Sequence, residues 1–208
     1  MIDKICLLLT EKIRKEMPDV DDERAEIINY GIHLIIGEFP KIFLVLIIAY
    51  LLGILKYTIL MVIMLLPYRA CSGGFHLKTH IGCIISTTLY YCAVPKISNY
   101  FVFYNHTKLI FILSVLIFGM IMITRYAPAD TENIPILRKK ERKQKKILSY
   151  IFFIVGLLIA IIINNNQISN ILIFGNLAQS IMITPLAYKL TKNKYGYEVY
   201  SNALEQIT

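Results

Sequence analysis

Charge is scarce in this 208-residue chain: Asp, Glu, Lys and Arg make up 17% of it, against roughly 25% in soluble domains, while apolar residues reach 56%. The mean hydropathy of +0.58 points the same way. Apolar residues must therefore meet lipid as well as a core, which argues against a soluble globular enzyme, and the same composition excludes disorder. Acidic residues are the scarcer sign, 14 against 22 Lys+Arg, for a net charge of +8. The basic residues are gathered between apolar runs rather than spread over a polar domain, so nucleic acid is a poor partner. Cysteine is sparse too. Cys6, Cys71, Cys83 and Cys92 are unevenly spaced and form no CxxC pair, which speaks against a disulfide framework or a zinc knuckle and for free thiols. A short basic leader with a small-residue cleavage site is also missing, so no secretory signal is expected to be removed.

What is abundant is uninterrupted apolar sequence. Ile147 to Tyr188 runs for 42 residues without Asp, Glu, Lys, Arg or His. The amides of Asn164, Asn165, Asn166 and Gln167 interrupt it, and they are costly to bury unpaired in hydrocarbon. Two spans of 17 and 21 residues joined by a polar turn are therefore expected, matching a core of about 30 Å at 1.5 Å rise per residue. Leu109 to Thr124 and Ile81 to Pro95 read as further spans. Ile42 to Leu55 and Tyr57 to Tyr68 are short and need snorkelling Lys41 and Lys56 to cross. The expectation is an all-α, polytopic helical membrane protein with about six transmembrane helices. Residues 2–13 set Ile2, Ile5, Cys6, Leu9 and Ile13 at helical spacing, as in an amphipathic helix on the membrane surface or packed on the membrane domain. Ile27 to Gly37 is placed at the interface. One membrane domain is expected over 1–208: amphipathic and interfacial helices in 1–40, the six-span bundle in 41–190, and a cytoplasmic tail in 191–208.

Orientation follows from Lys and Arg, which are retained on the cytoplasmic side during insertion. With six spans, residues 1–41, 69–78, 125–146 and 189–208 hold 19 of them on one side, against Lys56, Lys96 and Lys108 on the other. Both termini are thus expected in the cytoplasm.

The inner segment Arg69 to Cys83 holds half of the histidines and half of the cysteines. A thiol beside an imidazole is the minimum for thiolate catalysis, because the ring takes the proton and the sulfur attacks an acyl carbon. Cys83 with His76 is the candidate pair. Seven residues on one straight helix would separate them by about 10.5 Å in rise, too far for proton transfer at roughly 3 Å. His76 is therefore expected to precede the regular helix and fold back over its first turn. Gly73 and Gly74 could bring backbone amides to a substrate oxygen together with the following helix N-terminus, and Arg69 would raise the positive potential. Packing is the plainer role for Cys6, Cys71 and Cys92. His76, His80 and Cys83 also stand at i, i+4 and i+7, so metal ligation is an open alternative, predicting chelator sensitivity. A non-enzymatic peptide exporter is another.

A second constellation runs from Arg125 to Pro135, where Pro128 and Pro135 mark a structured loop around Asp130. Seven basic residues in nine follow, beginning Arg138, Lys139, Lys140. They suit either a topology anchor on anionic lipid or docking of an acidic peptide.

Taken together, Arg69-x3-Gly73-Gly74-x-His76-x6-Cys83 and Ala127-Pro128-Ala129-Asp130-Thr131-x-Asn133-x-Pro135 resemble the AgrB family, the accessory gene regulator membrane endopeptidases of Gram-positive quorum sensing. The likeness covers nearly the whole chain; one departure is Ile134, where a Lys commonly precedes the last proline. The resemblance implies a cell-membrane cysteine endopeptidase without cofactor that acts on an AgrD-like precursor peptide, with Cys83 as nucleophile and His76 as base then acid. It implies removal of the precursor's C-terminal tail through a thioester and closure of a thiolactone or lactone. A homodimer is left open.

Overall fold

A computed structural model describes residues 2–17, 20–77, 79–132, 135–136 and 138–199, with the side chains of residues 2–4, 23, 26, 30, 33, 34, 38, 80 and 105 excepted. The chain divides into two compact units, residues 1–48 and 49–208.

In the first unit, α1 (Ile2–Glu16) and the greater part of α2 (Asp22–Leu51) are helical. Thr10 Oγ1 lies 2.9 Å from Cys6 O and 3.2 Å from Asn29 Oδ1, tying α1 to α2, and Arg14 pairs with Asp22. Within α1, Cys6 and Thr10 are buried while Leu7, Leu8 and Leu9 are exposed. Ile27 to Gly37, the stretch placed at the interface, is continuous through Pro40 with the following apolar residues in one helix. Lys41, expected to snorkel, is buried.

The second unit holds α3 (Leu55–Ser72), α4 (His80–Ser98), α5 (Asn105–Tyr126), α6 (Lys139–Ile162), α7 (Asn166–Met182) and the short α8 (Pro185–Leu190). Gly53, at φ 69°, makes the turn before α3. The polar break in the long uncharged run falls between α6 and α7, where the Asn165 side chain caps α7 by accepting from Ile168 N at 3.0 Å. The second half of that run does not reach Tyr188 as one helix. Pro185 disfavours helical geometry at Thr184, α7 stops at Met182, and Thr184 Oγ1 caps α8 through Ala187 N.

Among the described residues, three helices are long and apolar enough to cross a bilayer, Leu55–Ser72, His106–Tyr126 and Lys139–Ile162. The first two carry Ile63, Ile110 and Ile117 on their outward faces, each more than 60% exposed, and the third carries exposed Ile151 and Leu158, the surface of a helical membrane protein rather than of one bathed in water. Inside, Tyr68, Val115, Ile123, Phe153, Leu157, Leu172 and Ile183 share one core, with Tyr68 and Phe153 ring centroids 5.5 Å apart. The buried face of α7 carries polar groups that bond to neighbouring segments: Asn170 donates to Phe101 O at 2.7 Å, Tyr90 donates to Gly175 O at 3.1 Å, and Tyr68 and Ser180 hydroxyls lie 3.0 Å apart.

The helices alternate in direction, so one end of this unit gathers the C-termini of α3, α5 and α7 and the N-termini of α4 and α6. Arg69, Arg125 and the Arg138–Lys146 run belong to that end, whereas Lys96 and Lys108 belong to the turn at the other.

Candidate functional site

The basic end is where the two sequence constellations meet. Helix α3 terminates at Ser72, and Gly73 takes φ 74°, ψ −149°, a region reserved for glycine. The turn pairs with segment 127–129 as a short parallel bridge: Ala129 N donates to Ser72 O at 2.8 Å and Gly74 N donates to Ala129 O at 2.9 Å. A Cβ on Gly73 would collide with the Ala129 carbonyl. Beneath the turn, the fully buried Gln179 of α7 donates to Gly73 O at 2.8 Å and to Ser72 Oγ at 2.9 Å, while accepting from Arg69 Nη1 at 3.2 Å.

Beyond this anchored turn the chain crosses to α4. Thr79 caps that helix by accepting from Gly82 N at 3.1 Å, and Cys83 N donates to Thr79 O at 3.0 Å, which puts Cys83 in the first turn. His76 lies before the helix, exposed, and its Nδ1 comes within 3.9 Å of Cys83 Sγ. The bend between them removes the helical rise that would have kept them apart.

The neighbouring segment is packed more deeply. Asp130, with its side chain 1% exposed, accepts from Ile136 N at 2.8 Å and pairs with Arg142 Nη1 at 3.1 Å; Arg142 also reaches the Pro128 carbonyl and stacks over Tyr197 at 4.2 Å. Tyr188 OH donates to Ala129 O at 2.8 Å, with Asp130 O at 3.1 Å. Tyr195 stacks on Tyr188 at 4.1 Å and donates to Ile183 O at 2.9 Å. Burial, reinforced by Tyr126 and Glu198, pushes the Tyr195 hydroxyl above its usual range, so it remains a donor.

Residues 6–183 match the family Accessory gene regulator B. The chain belongs to the AgrB family. An AgrB-like protein of Listeria monocytogenes serovar 1/2a is 32% identical over 86% of this chain and 87% of its own length. An AgrB-like protein of Clostridium acetobutylicum is 24% identical over 99% and 97%, and one of Clostridium perfringens 30% identical over 88% and 83%. No solved structure matches the chain.

Of the residues singled out for chemistry in this AgrB-family chain, His76 and Cys83 come together. Gly73 and Gly74 differ from expectation: their amides donate to Arg69 O and Ala129 O, so they build the turn rather than stand open to a substrate oxygen. Arg69 is committed to Gln179 and Met182. Asp130, expected in a docking loop, is instead enclosed by Ile136 and Arg142, because a lone buried carboxylate would be too costly. Arg138, Lys139 and Lys140 lie exposed at the start of α6. Of the metal alternative, the His80 side chain lies outside the described residues; among those described, no group of three or more His, Cys, Asp or Glu is placed to hold a metal. Lys78, Asn133 and Ile134 also lie outside them. Gln179, Tyr188 and Asn193 were not anticipated. Gln179 alone had a signal, an amide deep in an uncharged run.

Proposed function

We propose that this protein is an integral membrane cysteine endopeptidase that processes an AgrD-like signal-peptide precursor at the cytoplasmic face of the cell membrane. The approach of His76 Nδ1 to Cys83 Sγ, 3.9 Å, is the single observation that carries the reading. The gathering of basic segments at the same end supports the orientation. In this reading each of α2 to α7 crosses the membrane once, and the termini share the inner side.

In the reaction, His76 takes the thiol proton and Cys83 attacks the carbonyl carbon of the scissile bond. The developing oxyanion lies near the N-terminal turn of α4, whose backbone dipoles favour negative charge. The carbon–nitrogen bond breaks, His76 gives its proton to the leaving amine, and the precursor's C-terminal tail departs. A thioester to Cys83 remains. A cysteine or serine within the bound peptide then displaces Cys83, closing a thiolactone or lactone as the carbon–sulfur bond breaks and the thiol regains a proton. Confinement of the precursor's apolar leader to the inner leaflet reduces the entropy lost on encounter. The half-buried position of Cys83 limits water, which favours ring closure over hydrolysis.

The test is co-expression with the precursor. Cys83→Ala is expected to leave the precursor uncut at an unchanged membrane level, and mass spectrometry of the unsubstituted protein to find a peptide acylated on Cys83. Normal cutting by Cys83→Ala would sink the proposal, and passage of intact peptide into sealed vesicles would favour the exporter.

A further inference from the structure

We infer that Asn193 is a positioning residue for the catalytic pair, acting through the backbone of His76; this rests on the Cys–His reading above. Asn193 lies beyond the stretch 6–183 that the family match covers, and it is remote in sequence from the site. Its placement is built by the end of α8. Thr191 and Lys192 close that helix with Lys192 in the left-handed region at φ 56°, and Asn193 N donates back to Tyr188 O at 2.9 Å. The side chain is thereby turned toward the 73–79 segment, where Asn193 Nδ2 donates to His76 O at 2.8 Å. Its second proton has a partner in Thr191 Oγ1 at 2.8 Å, so the amide nitrogen is satisfied on both sides and its direction is fixed.

The consequence lies in what the loop otherwise has. Upstream, the turn at Gly73 and Gly74 is anchored by Gln179 and Ala129. Downstream, Thr79 is anchored by capping α4. His76 sits midway and exposed, where a swing of its backbone by an ångström or two would carry the ring out of reach of Cys83. Holding the carbonyl of that residue limits the swing without touching the imidazole. The same α8 end carries Tyr188, whose hydroxyl holds the Ala129 carbonyl. One short helix thus fixes both the anchored turn and the histidine beyond it.

The experiment uses the full-length protein in lipid vesicles and iodoacetamide as probe, following alkylation of the Cys83 peptide by mass spectrometry across pH. At alkaline pH every variant is expected to react alike, since solvent ionises the thiol. At mildly acidic pH only a thiol that can pass its proton to a neighbouring imidazole reacts fast. Asn193→Leu, similar in size but without a donor, is expected to lower the acidic-limb rate about fivefold, the population change for losing one ordinary hydrogen bond. His76→Ala is expected to lower it further, and the double variant to match His76→Ala alone. An unchanged acidic limb in Asn193→Leu beside a lowered one in His76→Ala overturns the inference and leaves the peptidase reading standing. An unchanged limb in His76→Ala overturns that reading itself. Additive losses in the double variant assign Asn193 a general structural role and also overturn the inference.

Discussion

The segments around Asp130 and around His76 lie side by side at one end of the bundle, and their polar atoms are treated differently. In the first, Asp130 is enclosed with Arg142 and Ile136, and the carbonyls of Pro128, Ala129 and Asp130 all accept hydrogen bonds. In the second, Gly73, Gly74 and Thr79 are bonded at the ends and the His76 carbonyl accepts from Asn193 Nδ2, while the His76 ring stands exposed beside a half-buried thiol. The contrast teaches a division of labour. A buried charge with its partners makes a firm shelf, and His76 is carried beside that shelf on a more lightly bonded span.

The sharpest way to break this comparison is to remove the shelf's charge. Asp130→Ala strips Arg142 of its buried partner, and loss of one member of such a pair costs about 3–5 kcal/mol. Thermal unfolding of the detergent-solubilised protein is expected to shift strongly downward. His76→Ala, on the exposed span, is expected to change stability by less than about 0.5 kcal/mol while abolishing processing. Equal stability losses in the two variants would erase the distinction between the segments.

These two residues also show how far sequence could reach. His76 and Cys83 were legible because their residue types carry thiol chemistry, and the helical rise showed that a bend had to intervene; Gly73, Gly74 and Thr79 supply it. Asp130 was visible as a polar residue in a proline-marked loop, but its burial was not, since the Arg142 guanidinium that neutralises it is one of seven basic residues in a run that looks uniformly solvated. The same limit applies to helices. The polar break at Asn164 to Gln167 was plain, whereas the stop at Met182 depends on Thr184 and Pro185 overriding an otherwise continuous apolar pattern. Gln179 and Asn193 act on partners more than a hundred residues away, and no local periodicity encodes that.

The join between the segments can be tested next. Gly73→Ala puts a side chain into a φ, ψ region essentially closed to other residues, at about 1–3 kcal/mol, and its Cβ would also meet the Ala129 carbonyl. Relief requires the parallel bridge to open. The expected result is a moderate fall in unfolding temperature together with a fall in the acidic-limb alkylation of Cys83, because the span loses its upstream anchor. A fall in temperature with the alkylation profile preserved would show that His76 is held without the shelf.

The smallest expected effect gives the finest separation. Tyr188→Phe removes a hydroxyl that donates to Ala129 O, with Asp130 O close by, but keeps the ring that stacks on Tyr195 at 4.1 Å. The Ala129 carbonyl still accepts from Gly74 N, so the carbonyl is not stranded, and the loss should be about 1 kcal/mol, that of a single hydrogen bond. The Tyr188 backbone oxygen that accepts from Asn193 N is unaffected by the change. Asn193 should therefore keep its hold on His76, and the Cys83 alkylation profile should match that of the unsubstituted protein while stability drops slightly. If the profile moved as much as in Asn193→Leu, α8 would govern the histidine through the shelf rather than through its own amide, and the two segments would have to be regarded as one mechanical unit.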